Sequence, residues 1–133
     1  MSLLIDQLAA YLATQGQGTV GTNIFKLARP SSPEACLSLH ATGGYPADGY
    51  TEREHPTVMI IARATSPNGA LTKAYSAYGQ LHGKQNLDLG GGLWALTIDA
   101  VGSPAYIGEE QAGNQTCHLA SFNIALDLRT ASS

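Results

Sequence analysis

The strictest constraint on the fold is an alternation of apolar and polar residues close to the end of this 133-residue chain. The apolar members are Ala120, Phe122, Ile124, Leu126 and Leu128. The residues between them are Ser121, Asn123, Ala125, Asp127 and Arg129. Successive side chains of a strand point to opposite faces of the sheet, so a period of two predicts a long strand with one buried face. Such a strand needs partner strands and a covering layer.

Two segments have helical periodicity and can provide that layer. Leucines recur every four residues within residues 3–14, and Gly16 follows as a stop signal. A second helix is predicted to begin at Ser66, which can cap it, and to continue through Leu81, with Gly83 as its stop.

Further strands are predicted over residues 23–28, 35–42, 57–64 and 94–100. The strand at 35–42 alternates and should have one buried face, whereas the continuous apolar run within 57–64 is typical of a central strand. In the strand at 94–100, Trp94, Leu96 and Ile98 should share one face. Residues 29–33 should form a turn, and 105–107 a short extended piece. Three glycine-containing segments are predicted to be connections: residues 43–56, 83–92 and 108–116.

The order of elements predicts an α+β fold with a mixed, mainly antiparallel sheet of about five strands and two helices on one face. The length predicts a single domain over residues 1–133, with 130–133 frayed.

Composition limits the possible partners. Charged residues are 13% of the chain and the formal net charge is −3, so no basic surface for sequence-specific nucleic-acid binding is expected. No apolar run reaches the length of a membrane helix and no signal peptide is indicated, which predicts a soluble cytoplasmic protein without membrane partners. A surface so poor in charge favours contact with other proteins.

The residues that could carry chemistry do not assemble into a recognisable site. The GxGxxG pattern over residues 16–21 follows a helix and precedes a strand, which is the reverse of the dinucleotide-binding order, and a flexible loop is expected instead. The four histidines are distant in sequence and form no HxxxH or HxH pair, and His40 and His118 should be hydrogen-bonded surface or core residues. Cys36 and Cys117 lack CxxC spacing and should be buried thiols; a nucleophilic Cys36 served by His40 or His118 has no supporting motif. We therefore predict no catalytic residue, no metal and no cofactor.

Two connections are candidate contact surfaces. The first connection, residues 43–56, is rich in tyrosine and in charged residues. Tyrosine and arginine are frequent in contact hot spots. Its candidate residues are Tyr45, Tyr50, Glu52, Arg53, Glu54 and His55. A long connection is usually functional, although a solvated hairpin loop is the alternative. The second candidate loop contains Glu109, Glu110 and Asn114, and the acidic pairs in both loops are expected to be solvated.

The order of segments resembles the minor capsid and minor tail proteins of long-tailed bacteriophages, a family that includes the tail terminators. The resemblance rests on the first helix, the proline-bounded turn at 29–33 that leads into Cys36-Leu37-Ser38-Leu39, and the glycine pair at 43–44. It also rests on the apolar strand closed by Arg63, the second helix, residues 104–110 and the closing strand around Phe122. These features cover nearly the whole chain.

The resemblance implies a non-enzymatic virion subunit that forms a homo-oligomeric ring, a hexamer, at the head-proximal end of the tail tube. Such a ring terminates tube polymerisation and offers a surface for head–tail joining. The implied partners are copies of the chain itself, the tail tube protein and a head-completion or neck protein, in the host cytoplasm during assembly and then in the virion. The alternatives are a neck (connector) protein of the same virion and a small ligand-binding domain. Sheet edges would meet neighbouring subunits, and loops would meet the tube or the neck.

Overall fold

A computed structural model describes residues 2–26, 35–45, 53–90, 93–112 and 114–130 of the chain. Two helices and seven strands occur in these ranges. In chain order they are α1 (Ser2–Thr14), β1 (Ile24–Lys26), β2 (Cys36–Tyr45), β3 (Arg53–Ala64), α2 (Pro67–Leu81), β4 (Lys84–Gly90), β5 (Leu93–Ala100), β6 (Ala105–Ala112) and β7 (Gln115–Thr130).

The strands form one sheet in the order β1-β2-β3-β7-β5-β4, and β6 pairs with β7 beside this path. β1 is parallel to β2, and the other pairs are antiparallel. The predicted α+β class and mixed, mainly antiparallel sheet are therefore confirmed. β7 is the centre of the sheet, because β3 lies along one side of it while β5 and β6 share the other side in succession.

Both helices pack on the face of the sheet that carries the alternating apolar residues of β7, as predicted. α1 contacts β1 and β2 at one end of the sheet and β4 at the other end, so the sheet curls around the helices. The helices also contact each other: the Tyr11 hydroxyl donates a hydrogen bond of 3.0 Å to the carbonyl oxygen of Gln80. Burial raises the pKa of the Tyr11 phenol, because the charged form would lose hydration.

The limits of the helices have local causes that the sequence indicated. The side-chain oxygen of Ser66 accepts a hydrogen bond from the amide of Gly69, and Pro67 occupies the first helical position of α2. Gly83 then ends α2 with a φ of +79°, and Gly16 follows α1 with a φ of +82°. Both values are in the left-handed region that glycine adopts without steric cost.

The opposite face of the sheet, which we call the second face, is also buried over part of its area. Its buried side chains are Cys36, Ser38, Ile61, Arg63, Cys117 and Leu119. They alternate with core residues of the helix face, so β2 is buried on both sides at Cys36 and Ser38. The prediction of one buried face for this strand was therefore wrong at these positions, since the second face is covered there as well.

Two of the predicted connections are strands, which brings the sheet to seven strands instead of about five. Residues 84–90 form β4, and residues 108–112 extend the short piece at 105–107 into β6. Neither segment has a clear hydrophobic alternation, because both are edge strands with much of their surface exposed. Both strands also contain register shifts that break any period of two.

The prediction of a loop over 43–56 was wrong at both of its ends, because β2 continues to Tyr45 and β3 begins at Arg53. Pro56 lies within β3, directly opposite Gly44 of β2. Proline donates no backbone hydrogen bond, and the pairing of β3 with β7 has a gap between Glu54 and Thr57. Residues 46–52 lie outside the described residues, as does the predicted turn at 29–33, and the predicted strand at 23–28 is described only as far as Lys26.

The predicted orientation of β5 was wrong for Trp94. A register shift between Ala95 and Thr97 inserts an extra residue, which changes the face to which the following side chains point. Ala95 and Ile98 are both buried as a result, whereas Trp94 is 41% exposed on the second face.

Candidate assembly surfaces

The edge strand β6 and the segment that leads into it carry three of the exposed large apolar side chains in the described residues. Val101, Tyr106 and Ile107 are 71%, 42% and 50% exposed and lie within seven positions of one another. β6 pairs with β7 on one side, and no described strand pairs with its outer side. An edge strand with exposed apolar side chains is a template for pairing with another chain. The sequence analysis did not single out these three residues. Their apolar character, close to the predicted loop at 108–116, was the signal that could have indicated a contact surface.

The second candidate loop from the sequence is therefore a β-hairpin formed by β6 and β7. Glu109 lies on β6 with an exposed side chain, and Asn114 is exposed in the turn. Glu110 is not a simple solvated carboxylate as predicted, because its Oε1 atom lies 2.6 Å from Nη1 of Arg63. The hairpin thus separates the three candidates: two are exposed, and the third is an ion-pair partner.

Arg63 is the largest fully buried side chain of the described residues, with 1% of its surface exposed. It is on β3, and Glu110 is on β6, so the ion pair reaches across β7. A buried guanidinium is costly unless it is paired and hydrogen-bonded. The sequence showed an arginine that closes an apolar strand, but the position of its acidic partner depends on the pairing of β6.

Aromatic side chains lie close to the β6 edge. The Tyr106 hydroxyl and the Nδ1 atom of His118 are 2.9 Å apart. On α2, which contacts β6, the exposed ring of Tyr75 meets the edge of Tyr78, and Tyr78 packs against Phe122 of β7. Tyrosine provides a large, rigid contact area and is frequent in contact hot spots.

The first candidate loop lies at the end of the β2–β3 hairpin. Tyr45 pairs with His55 in the backbone register, and Arg53 pairs with Arg129 of β7. Nδ1 of His55 is 3.7 Å from Oδ1 of Asp127, and both side chains are partly exposed. Glu54 is on β3 beside Arg53, while Tyr50 and Glu52 lie outside the described residues. Four of the six candidates are therefore on strands rather than in a loop.

His40 and His118 have hydrogen-bond partners, as expected. Nε2 of His40 is 2.9 Å from Oγ of Ser38, and Nδ1 of His82 accepts a hydrogen bond of 2.9 Å from the amide of Ala100. His55 and His118 contact Asp127 and Tyr106 as described above. In the ranges that the structure describes, no group of three or more His, Cys, Asp or Glu side chains could hold a metal ion.

The cysteines and the glycine motif also have structural roles. Cys36 and Cys117 are buried thiols, as predicted. The GxGxxG segment connects the C-terminus of α1 to β1, which confirms the reversed order of helix and strand. The Oδ1 atom of Asn23 accepts a hydrogen bond of 2.7 Å from the amide of Thr19, so this turn is held by its own side chain. No described helix has the length and apolar character needed to cross a membrane.

Comparison with known proteins agrees with this arrangement. Residues 11–128 match the family model described as bacteriophage tail terminator protein. A chain in the solved structure titled "Virion of native gene transfer agent (GTA) particle" has the same fold, with a TM-score of 0.62 and 16% sequence identity. The similarity covers 92% of this chain and 84% of that chain. No curated protein sequence matches the chain. Because the family model covers most of the chain, the chain belongs to the bacteriophage tail terminator family.

Proposed function

We propose that this chain forms a ring of identical subunits, a hexamer, at the head-proximal end of a phage tail tube. The ring stops tube polymerisation and offers its other side to a head-completion or neck protein. The role is structural and requires no catalysis and no cofactor. The chain acts as one folded unit over residues 1–133, at the head–tail junction of the virion and, during assembly, in the host cytoplasm.

The observation that carries the proposal, beside the family match, is the exposed apolar edge at β6. Subunits of a ring make head-to-tail contacts, so each subunit needs two different complementary surfaces. The β6 edge, with Tyr106 and Ile107 on the strand and Val101 just before it, supplies one surface on which a neighbouring subunit can bury apolar area. Backbone groups on the same edge can pair with a strand of that neighbour.

The remaining candidate residues are assigned to the tube or the neck. The end of the β2–β3 hairpin, with Tyr45, Arg53, Glu54 and His55, lies away from β6, because β3 and β6 are on opposite sides of β7. We place Tyr50 and Glu52 in the same contact surface, since they connect these two strands in the sequence. Glu109 and Asn114 belong to the β6–β7 hairpin and would lie at the border of the subunit contact.

The proposal is tested with purified protein and purified tail tubes. Light scattering after size-exclusion chromatography gives the oligomeric state, and electron microscopy shows whether the protein caps one end of the tubes. The Ile107→Glu variant places a charge on the proposed subunit contact and should reduce ring formation at least tenfold in the concentration required. Trp94→Glu is the matched control, because Trp94 is also an exposed apolar residue but lies on β5, which is paired on both sides and is not a sheet edge.

Different results point to different functions. A wild-type protein that stays monomeric at all concentrations and does not bind tube ends would refute the proposal. Binding to a neck protein without binding to the tube would favour the head-completion alternative. Equal loss of assembly in both variants would show that β6 has no special role.

A further inference from the structure

The Arg63–Glu110 ion pair joins the centre of the sheet to its edge. Arg63 lies opposite Leu119 of β7 in the register, and Glu110 lies opposite Cys117. The distance of 2.6 Å between Nη1 and Oε1 therefore connects β3 with β6 over the intervening strand. The two charges differ in exposure: the arginine side chain is 1% exposed and the glutamate side chain is 26% exposed.

This ion pair fixes an element that is otherwise held from one side. Within the described residues, β6 has strand hydrogen bonds only with β7, and its register is interrupted between Tyr106 and Gly108. Gly108 has a φ of +137° at this interruption. Edge strands with irregular pairing open more easily than central strands, because fewer buried contacts hold them. Glu110 lies on β6 beyond this irregularity. Its charge-assisted hydrogen bond to the buried Arg63 therefore restricts the position of that part of β6.

Separating the two charges costs free energy, and this cost favours the position of β6 in which the ion pair is formed. If β6 moves away from the sheet, the buried guanidinium of Arg63 loses the carboxylate that the structure places beside it. An apolar pair in the same place would be held only by contact area and would tolerate small displacements. The charged pair depends on distance and direction, and so it selects one position of the strand.

We infer that Arg63 and Glu110 are positioning residues, which hold the β6 edge in the conformation that receives a neighbouring subunit. The inference rests on the proposed ring and adds a mechanism to it. The contact surface of β6 is made ready within each monomer before assembly, and a subunit with the pair broken folds but presents a displaced edge.

The two buried cysteines provide local reporters of this mechanism. Cys117 lies directly opposite Glu110, and Cys36 lies directly opposite Arg63 on the far side of β3. Both thiols are fully buried. When β6 moves away, Cys117 loses Glu110 as its cross-strand neighbour. Cys36 keeps Arg63 opposite it, because β2 stays paired with β3. Labelling of Cys117 alone, with Cys36 replaced, therefore reports opening at β6.

The experiment compares Glu110→Gln with Glu109→Gln. Both substitutions remove one negative charge from β6, but Glu109 is exposed and is the matched control for the charge itself. Each variant also carries Cys36→Ala, so that only Cys117 reacts with a thiol reagent such as dithiobis(nitrobenzoic acid). Because the Glu110 carboxylate accepts a charge-assisted hydrogen bond, and one-quarter of its side chain is exposed, we expect labelling of Cys117 to be about tenfold faster in Glu110→Gln.

Ring formation is measured on the same proteins without Cys36→Ala. Glu110→Gln should need a higher concentration to assemble, by about the same tenfold factor. The control for assembly is Asp99→Asn, which removes an exposed negative charge from β5, outside the proposed contact surfaces, and should assemble like the wild type. Far-UV circular dichroism and thermal melting establish that all of these variants are folded. If Glu110→Gln is not folded, Glu110→Asp keeps the charge on a shorter side chain and should give an intermediate labelling rate.

Each outcome decides one point. Unchanged labelling of Cys117 in folded Glu110→Gln overturns the inference, whatever the assembly result. Faster labelling with unchanged assembly shows that the pair holds β6 but that its position does not matter for the ring, which also overturns the inference. A wild type that forms no ring refutes the proposed function, and the labelling comparison still reports on the ion pair.

Discussion

The central strand β7 should be the most sensitive part of the fold, and Ile124 tests this directly. Ile124 is fully buried and lies between Val58 of β3 and Ala100 of β5. The Ile124→Ala substitution removes three carbons, Cγ1, Cγ2 and Cδ1, which costs about 2.4 kcal/mol at about 0.8 kcal/mol for each buried carbon. The strands on both sides are fixed by their own hydrogen bonds and cannot close the cavity. The total loss should therefore be about 3–4 kcal/mol, within the range seen for large-to-small core substitutions.

The assay is urea denaturation at 25 °C, followed by far-UV circular dichroism. With a denaturant slope of about 2 kcal/mol/M, the midpoint should fall by about 1.5–2 M with the slope unchanged. Ile124→Val should lose about 1 kcal/mol, because it removes one methyl group. The neighbouring Asn123 is exposed, so Asn123→Ala should stay within about 0.5 kcal/mol of the wild type. A loss below about 1 kcal/mol for Ile124→Ala would refute the reasoning, since it would mean that the site collapses or is not buried.

Four further predictions concern local features. Gly79→Ala, on the exposed side of α2 with no atom near the added Cβ, should raise the unfolding free energy by about 0.5–1 kcal/mol. Gly83→Ala has equal space but a φ of +79°, so it should lower that free energy by about 1 kcal/mol, and a gain in thermal stability would contradict the backbone argument. Ser66→Ala removes the cap of α2 and should cost about 1 kcal/mol in the same melting experiment. Tyr11 has a pKa above its ordinary value of 10.0 in the folded state. Its contribution to the unfolding free energy is therefore fully present below pH 10 and decreases as the pH rises above 10. Tyr11→Phe should lose the hydrogen bond to Gln80, at a cost of about 1 kcal/mol at pH 7, and should show a smaller decrease in stability above pH 10 than the wild type does.

The helices and the central strands could be predicted from the sequence because their signals are local. Leucines at four-residue spacing identify α1, and Ser66 followed by Pro67 identifies the start of α2. The alternation around Phe122 identifies β7 and its buried face. In each case, the residues that define the element are also those that it buries.

The edge strands could not be predicted in the same way. β4 and β6 have little apolar alternation, so their strand conformation comes from backbone pairing with β5 and β7. The bulge in β5 is another result of pairing, and it places Trp94 on the second face against the sequence pattern. A register shift of one residue reverses the direction of every following side chain, and composition gives no sign of it.

The sequence by itself determined the α+β class, the positions of the helices and the burial of the long closing strand, because these depend on periodicity within a segment. The tertiary structure alone decided that Glu110 meets Arg63 and that Val101, Tyr106 and Ile107 are left exposed on and just before the edge strand β6. The contact of Arg63 with Glu110 joins residues far apart in the chain, through the order of the strands and their register. A buried charge and its partner can be 47 positions apart, and the local pattern around each one looks like an ordinary strand end or surface loop.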